Sequence, residues 1–212
     1  MTGVPRLKHF EYSKENAEEI IVRHTGRYIN PNKKTLLWLP THTEISSCIS
    51  FAPIIAKLQN EFNIILKPHV FTYYEKANFN DYMRKIIPEI TIINNVDNIK
   101  LIPIADFVVC DYGGSVFYAI HADKNVVLLN MSKPELLTGA FAPSVPSNAI
   151  RNRIINFYAD EEGKFFAELK DASVWEKQKE IRREIRAEFF TENQDPARDI
   201  AELCRRIVRG GV

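Results

Sequence analysis

The chain has 212 residues, 45% of them apolar and 11% aromatic, enough to bury the core of one domain with at most a short appendage. Charged residues make up 26% of it and the formal net charge is +1, so no global field draws it to nucleic acid and any phosphate site must be local. The apolar runs, such as 107–110 and 126–129, fall far short of the roughly 18 to 20 residues that span a bilayer.

In chain order, 1–30 reads as a linker and a helix, 31–150 as a Rossmann-like domain, and 151–212 as helices packing on the same domain. Within 31–150, short apolar runs at 35–39, 63–67, 91–93, 107–110 and 126–129 alternate with longer amphipathic stretches, the pattern of a parallel α/β sheet. The runs are continuous rather than alternating, so helices are expected on both sheet faces. Ser50 opens a helix over 51–62, Thr72 with Glu75 forms a capping box before 73–87, and 97–105 and 115–122 follow as helices. The loop 133–149 carries three prolines and is long enough to be functional.

Farther on, Ser173 and Glu176 form a capping box for a helix whose stripe is Val174, Ile181, Ile185 and Phe189. Its acidic row, Glu176, Glu180, Glu184 and Glu188, lies beside Lys179, Arg182, Arg183 and Arg186 and reads as a solvated, internally paired face. Asp195-Pro196 starts a last helix, with Ile200, Leu203, Ile207 and Val208 as its buried face. The expected fold is α/β, a Rossmann-like three-layer parallel sheet with extra C-terminal helices.

In such a sheet the ligand crevice lies beyond the carboxyl ends of the strands. Three polar clusters fall there: Thr41-His42-Thr43 after the first strand, Lys67-Pro68-His69 after the second, and Asp111-Tyr112-Gly113-Gly114-Ser115 after the fourth. The glycines let backbone approach an anion, and amides at the following helix start can hold one; a pyrophosphate suits the turn. Lys67 and His69 can neutralise charge on a transferred phosphoryl group, and His69 can protonate a leaving oxygen near neutral pH. Thr41 and His42 can bind phosphate or cap the next segment. Each cluster also has a plain structural reading, as a strand-to-helix turn or a packed histidine. His121 reads as packing, and His9 and His24 have no supporting neighbours.

No P-loop signature is present, and no acidic pair or histidine spacing reads as a metal site. Cys48, Cys110 and Cys204, odd in number and far apart, argue against a disulfide framework and a zinc site and fit a reducing cytoplasm. The stretch from Arg6 to Glu15 has no apolar centre, so no secretory signal is expected.

Four segments, in order, resemble the CDP-glycerol glycerophosphotransferases of teichoic-acid and capsule polymer synthesis. Thr2-Gly3-Val4-Pro5-Arg6 is similar to the Gly-x-Pro-Arg segment that leaves their first domain. Residues 37–43 resemble their Tyr-Ala-Pro-Thr strand end, and Lys67-Pro68-His69 their Pro-His segment. Ala105-Asp106, Cys110-Asp111-Tyr112, Ser115 and Phe117 resemble their Asp-Tyr-Ser-Ser-x-x-Phe block. The resemblance implies the C-terminal, nucleotide-binding half of a GT-B transferase that moves glycerol phosphate, or a related polyol phosphate, from a CDP-linked donor to a polymer or lipid-linked acceptor. No cofactor is implied. His69 would act on the donor phosphates as the catalytic residue, with Thr41, His42, Lys67, Asp111, Gly113, Gly114 and Ser115 binding the donor, and Asp111 orienting the turn. The implied location is cytoplasmic, or peripheral on the inner face of the plasma membrane.

The sequence departs from the pattern at Thr43, Val70 and Gly113-Gly114, and neither Trp38 nor Trp175 opens the Trp-His-Gly segment expected to carry the base. That segment belongs to an N-terminal half, in cis or in trans, without which the chain is expected to bind nucleotide weakly and turn over nothing. A glycine pair before serine also resembles UDP-sugar epimerases and other GT-B glycosyltransferases. A non-catalytic flavodoxin-like binding module is the third reading.

Overall fold

The structure, a computed structural model, describes residues 13–75, 78–190 and 196–209. The Gly-x-Pro-Arg match, His9 and the Asp195 cap lie outside them, as do the side chains of Glu75 and Pro196.

Six parallel strands form one sheet in the order β3-β2-β1-β4-β5-β6: β1 (Lys34–Leu39), β2 (Phe62–Leu66), β3 (Thr91–Ile92), β4 (Phe107–Cys110), β5 (Asn125–Leu129) and β6 (Asn156–Phe157). The expectation of a parallel sheet covered on both faces holds. Successive side chains point to opposite faces and both faces are dry. Leu36, Trp38, Phe107 and Val109 pack in one core, and Leu37, Leu39, Val108 and Cys110 in the other. Each large side chain so buried contributes about 1.5 to 3 kcal/mol.

Helices α2 (Cys48–Ala56), α4 (Phe79–Ile86) and α8 (Glu162–Lys170) cover the first face. Helices α1 (Lys14–Thr25), α5 (Asn98–Leu101) and α6 (Ser115–His121) cover the second. In α1, the Ser13 hydroxyl accepts the amide of Asn16, and Gly26 closes the helix at φ +68°, where a side chain would be strained.

Several boundaries differ from expectation. The stretch 73–87 is two helices, α3 (Val70–Glu75) and α4. Helix α2 starts at Cys48, not after Ser50, because Ser47 is already fixed there by a buried carboxylate described below. The loop 133–149 contains 3-10 turns and a short helix, α7 (Pro146–Ala149).

Helix α9 (Ala172–Phe189) is capped not by Ser173 but by Asp171, whose carboxylate accepts the Ser173 amide. Its polar face is not wholly solvated, since Arg182 is 3% exposed and pairs with Asp123 at 3.1 Å. Trp175 packs in the first core, 5.0 Å from Phe107, and Ile185 in the second, so α9 passes the sheet at β5 from one face to the other.

Helix α10 (Pro196–Val208) departs most: Ile200 is 37% exposed, Leu203 47%, Ile207 55% and Val208 86%. The stripe expected to be its buried face is not buried on this chain. No helix among the described residues is long and apolar enough to cross a membrane.

Candidate functional site

The strand order reverses between β1 and β4, and at such a point two loops diverge to opposite faces and open a crevice at the carboxyl ends. Trp38 is level with Leu66 on β2 and with Val109 on β4. The chain therefore leaves all three strands at one height, which brings the Thr41, Lys67 and Asp111 segments onto a common rim.

Asp111 holds the centre of this rim. Its buried carboxylate accepts the amides of Thr41 (2.6 Å), Ser47 (2.8 Å) and Tyr112 (2.7 Å), wrapping the loop after β1 over the end of β4. Burial pushes its pKa up, and the amides of Ser47 and Thr41 oppose that shift. With both oxygens engaged, Asp111 is a clamp rather than a proton carrier. Trp38 extends it by donating its indole N–H to the Ser47 hydroxyl at 3.0 Å.

His42 and His69 stack with centroids 4.4 Å apart, and Phe71 lies against both rings. Nδ1 of His69 accepts the Phe71 amide at 3.3 Å, which assigns the proton of the neutral ring to Nε2 and makes that nitrogen a donor. Nδ1 of His42 is buried without a hydrogen-bond partner among the described residues, a cost of about 1 to 3 kcal/mol that stability alone does not explain. Lys67, half-buried just before His69, finds no anionic partner among the described residues, and burial pushes its pKa down.

Gly113 has φ +104°, a conformation reserved for glycine, whereas Gly114 has φ −78°. A Cβ at either would meet nothing within 4 Å, so this backbone faces open space. Ser115 opens α6, and its hydroxyl accepts the Asn98 side chain at 2.8 Å. Thr41 and Asp111 are thus bonded together and His42 and His69 stacked. No hydrogen bond among the described residues joins Ser115 to either pair.

Sequence reasoning missed Arg151. Its guanidinium lies 4.1 Å from the Tyr112 ring centroid and donates to the carbonyl of Asp111 and to Asn130 Oδ1 at 2.8 Å. It ties the end of β4 to the end of β5, and burial pushes its pKa down without removing its charge. Nothing local in the sequence marks it, because only the closing turn after α7 carries it back to the rim.

A cleft of about 600 Å³ opens beside the rim, between Thr43 and the loop after β5. None of the eight expected site residues lines it. A second cavity, about 550 Å³, lies at the amino ends of the strands beside Lys14, Tyr28 and Asp106, the end of a parallel sheet where no loops converge on a ligand.

Neither a protein-family model nor a curated protein matches this sequence. Solved structures do. A variant of the wall teichoic acid polymerase TagF superposes with a TM-score of 0.61 at 14% identity, over 98% of this chain and 52% of that one. The fold is that of one half of a GT-B structure. A glycosyltransferase from Rickettsia africae gives 0.60 at 17% identity, over 92% of this chain and 52% of its own. The UDP-GlcNAc 2-epimerase of Neisseria meningitidis, bound to UDP-GlcNAc, gives 0.53 at 13%, over 89% and 48%. The chain spans about half the length of each of these structures, and at such identities the likeness is one of fold.

Proposed function

We propose that this chain is the donor-binding half of a transferase that uses a nucleotide-diphosphate-linked donor, with a CDP-linked polyol phosphate as the favoured class. The observation that carries the reading is Lys67: a half-buried ammonium without an anionic partner among the described residues, on the carboxyl rim beside the β1–β4 switch point. A buried cation of this kind is stabilised when an anion arrives. The Gly113-Gly114 backbone offers the close approach that a diphosphate needs, and the Nε2–H assigned to His69 offers a charge-assisted bond to it.

In this reading an acceptor hydroxyl attacks the β-phosphorus of the donor. A new O–P bond forms, the pyrophosphate P–O bond breaks and CMP leaves. Lys67 and His69 stabilise the charge that gathers on the phosphates, and the acceptor proton goes to a base outside the described residues. TagF crystals soaked with CDPG, at a TM-score of 0.59 and 16% identity, support the donor class. The second reading, a UDP-sugar donor, is favoured by the glycine pair and the likeness to the epimerase.

Titration of the full chain with CDP, CDP-glycerol, UDP and UDP-GlcNAc, followed by amide chemical shifts, tests both. The expected result is saturable shifts at 41–42, 67–69 and 111–115, stronger for cytidine than for uridine, because the two bases present opposite hydrogen-bonding groups. Stronger uridine binding selects the second reading. No shift on this rim with any nucleotide leaves the flavodoxin-like module and ends the proposal.

A further inference from the structure

We propose that the cavity at the amino ends of the strands is a second ligand site, built for a small zwitterion with an apolar body, the chemistry of a free apolar amino acid. Its volume of about 550 Å³ lies in the range of small-molecule sites. Its walls come from one face of α1 and from the segment leading into β1, rather than from the loops at the carboxyl ends of the strands. Ile21, Val22, Ile29 and Ile104 supply an apolar floor, with Ile21 1% and Ile104 3% exposed.

The charges around the cavity are the sign of what it takes. Lys14, Glu18, Lys33, Lys34 and Asp106 all line it, and among the described residues no ion pair joins any of them to another. Three of them have other contacts. Lys33 Nζ donates to the Gln59 carbonyl at 3.0 Å, Lys34 Nζ lies 5.6 Å from the centroid of the Phe107 ring, and Asp106 Oδ2 accepts the Thr35 amide at 2.7 Å. Lys14 and Glu18 make no side-chain hydrogen bond among the described residues, although a lysine and a glutamate four apart on a helix are placed to pair. Glu18 is half-buried, so its carboxylate gives up hydration without gaining a partner. One cation and one anion are thus left on adjacent turns, about 5 to 6 Å apart at their β-carbons, beside an apolar floor.

An α-amino acid matches this arrangement. Its ammonium meets Glu18, its carboxylate meets Lys14, and its side chain lies on the isoleucines. A plain carboxylate or a plain amine answers one of the two charges and leaves the other as it is in the free protein. The entrance is framed by a loop that is already fixed: the Asn30 amide donates to Asn63 Oδ1 at 3.0 Å, and Asn63 Nδ2 donates to the carbonyls of Asn30 at 2.8 Å and Lys33 at 3.0 Å. Tyr28, 84% exposed on that loop, gives the mouth an aromatic surface for an apolar side chain. The site lies at the end of the sheet opposite the Thr41, Lys67 and Asp111 segments, so it stands or falls independently of the transfer reading above.

The test uses the full chain, with L-phenylalanine, 3-phenylpropionate and phenethylamine as separate probes, read by amide shifts. The second probe lacks the ammonium and the third lacks the carboxylate. Phenylalanine is expected to shift 14–22, 28–35 and 104–106 saturably, with a dissociation constant on the order of 1 mM and the two single-charge probes at least ~10-fold weaker. Glu18→Gln should weaken phenylalanine about tenfold without weakening 3-phenylpropionate, and Lys14→Met should weaken it about tenfold without weakening phenethylamine. Neither substitution should lower the melting temperature, because neither side chain gives up an ion pair or hydrogen bond among the described residues. A single-charge probe that binds as tightly as phenylalanine, shifts confined to other segments, an affinity untouched by either substitution, or no saturable response below about 10 mM would overturn the proposal. A rim that stays silent to every nucleotide would leave it standing.

Discussion

Asp111, buried, and Lys67, half-buried, are charged side chains on one rim, and they have opposite fates on substitution. Asp111 receives three amides, and an asparagine would turn an N–H toward at least one of them. Asp111→Asn should therefore cost about 2 to 4 kcal/mol in urea unfolding and loosen the loop after β1. Lys67 has no anion among the described residues to lose, so Lys67→Met should raise the melting temperature while weakening nucleotide-diphosphate binding about tenfold. The pH response follows from the sign of its shift. Burial holds the folded-state pKa below the ordinary 10.5, so the unfolded chain binds more protons in that interval. Stability then rises as pH climbs through the folded value toward 10.5 and is lost again on the way down. Lys67→Met should remove that slope, and an unchanged profile would mean that the ammonium is solvated.

The interior helices and the strands differ in how readily they can be inferred. Strands such as 107–110 announce themselves, because four consecutive apolar residues flanked by Asp106 and Asp111 have nowhere to go but a doubly covered sheet. Helix α9 shows its apolar stripe equally well but hides its real attachment, which is polar. The Gln178 amide accepts from Val126 N–H at 2.9 Å and donates to Val126 C=O at 2.7 Å. It serves as a one-residue strand where β6 is too short to reach, since β5 meets β6 through Leu128 and Leu129. Arg182 reinforces this by donating to Gln178 and Asn125 at 3.1 Å. No periodicity rule reads such a contact from sequence. Gln178→Ala should orphan two buried backbone groups and cost about 2 to 4 kcal/mol, against less than about 0.5 for the exposed Glu176→Ala, both measurable by chemical denaturation.

At the scale of the molecule, the alternation of apolar runs with amphipathic stretches was enough to read the parallel sheet and the rim beyond it. The clusters around Thr41, Lys67 and Asp111 are visible as polar residues that follow strands. Arg151 and Asn98 are not, because they arrive from elements whose place only the finished fold defines. The amphipathicity of 196–208 misled for a related reason: periodicity records that a helix has an apolar side and says nothing of what covers it. Since Leu203, Ile207 and Val208 are so exposed, a chain ending at residue 190 should unfold within about 0.5 kcal/mol of the full one. A loss of several kcal/mol would mean that α10 packs more tightly than its exposure indicates.

The position of β1 bears on how the protein is made. Although it lies inside the finished sheet, one of its edges stays open until β4 exists: Leu36 waits for Phe107, and Leu39 for Cys110. A nascent chain leaving the ribosome therefore carries a bare, largely apolar strand edge until residues 107–110 have been synthesised. Its greatest exposure to misassembly comes before the switch-point crevice can close, and that interval is when a chaperone would matter most.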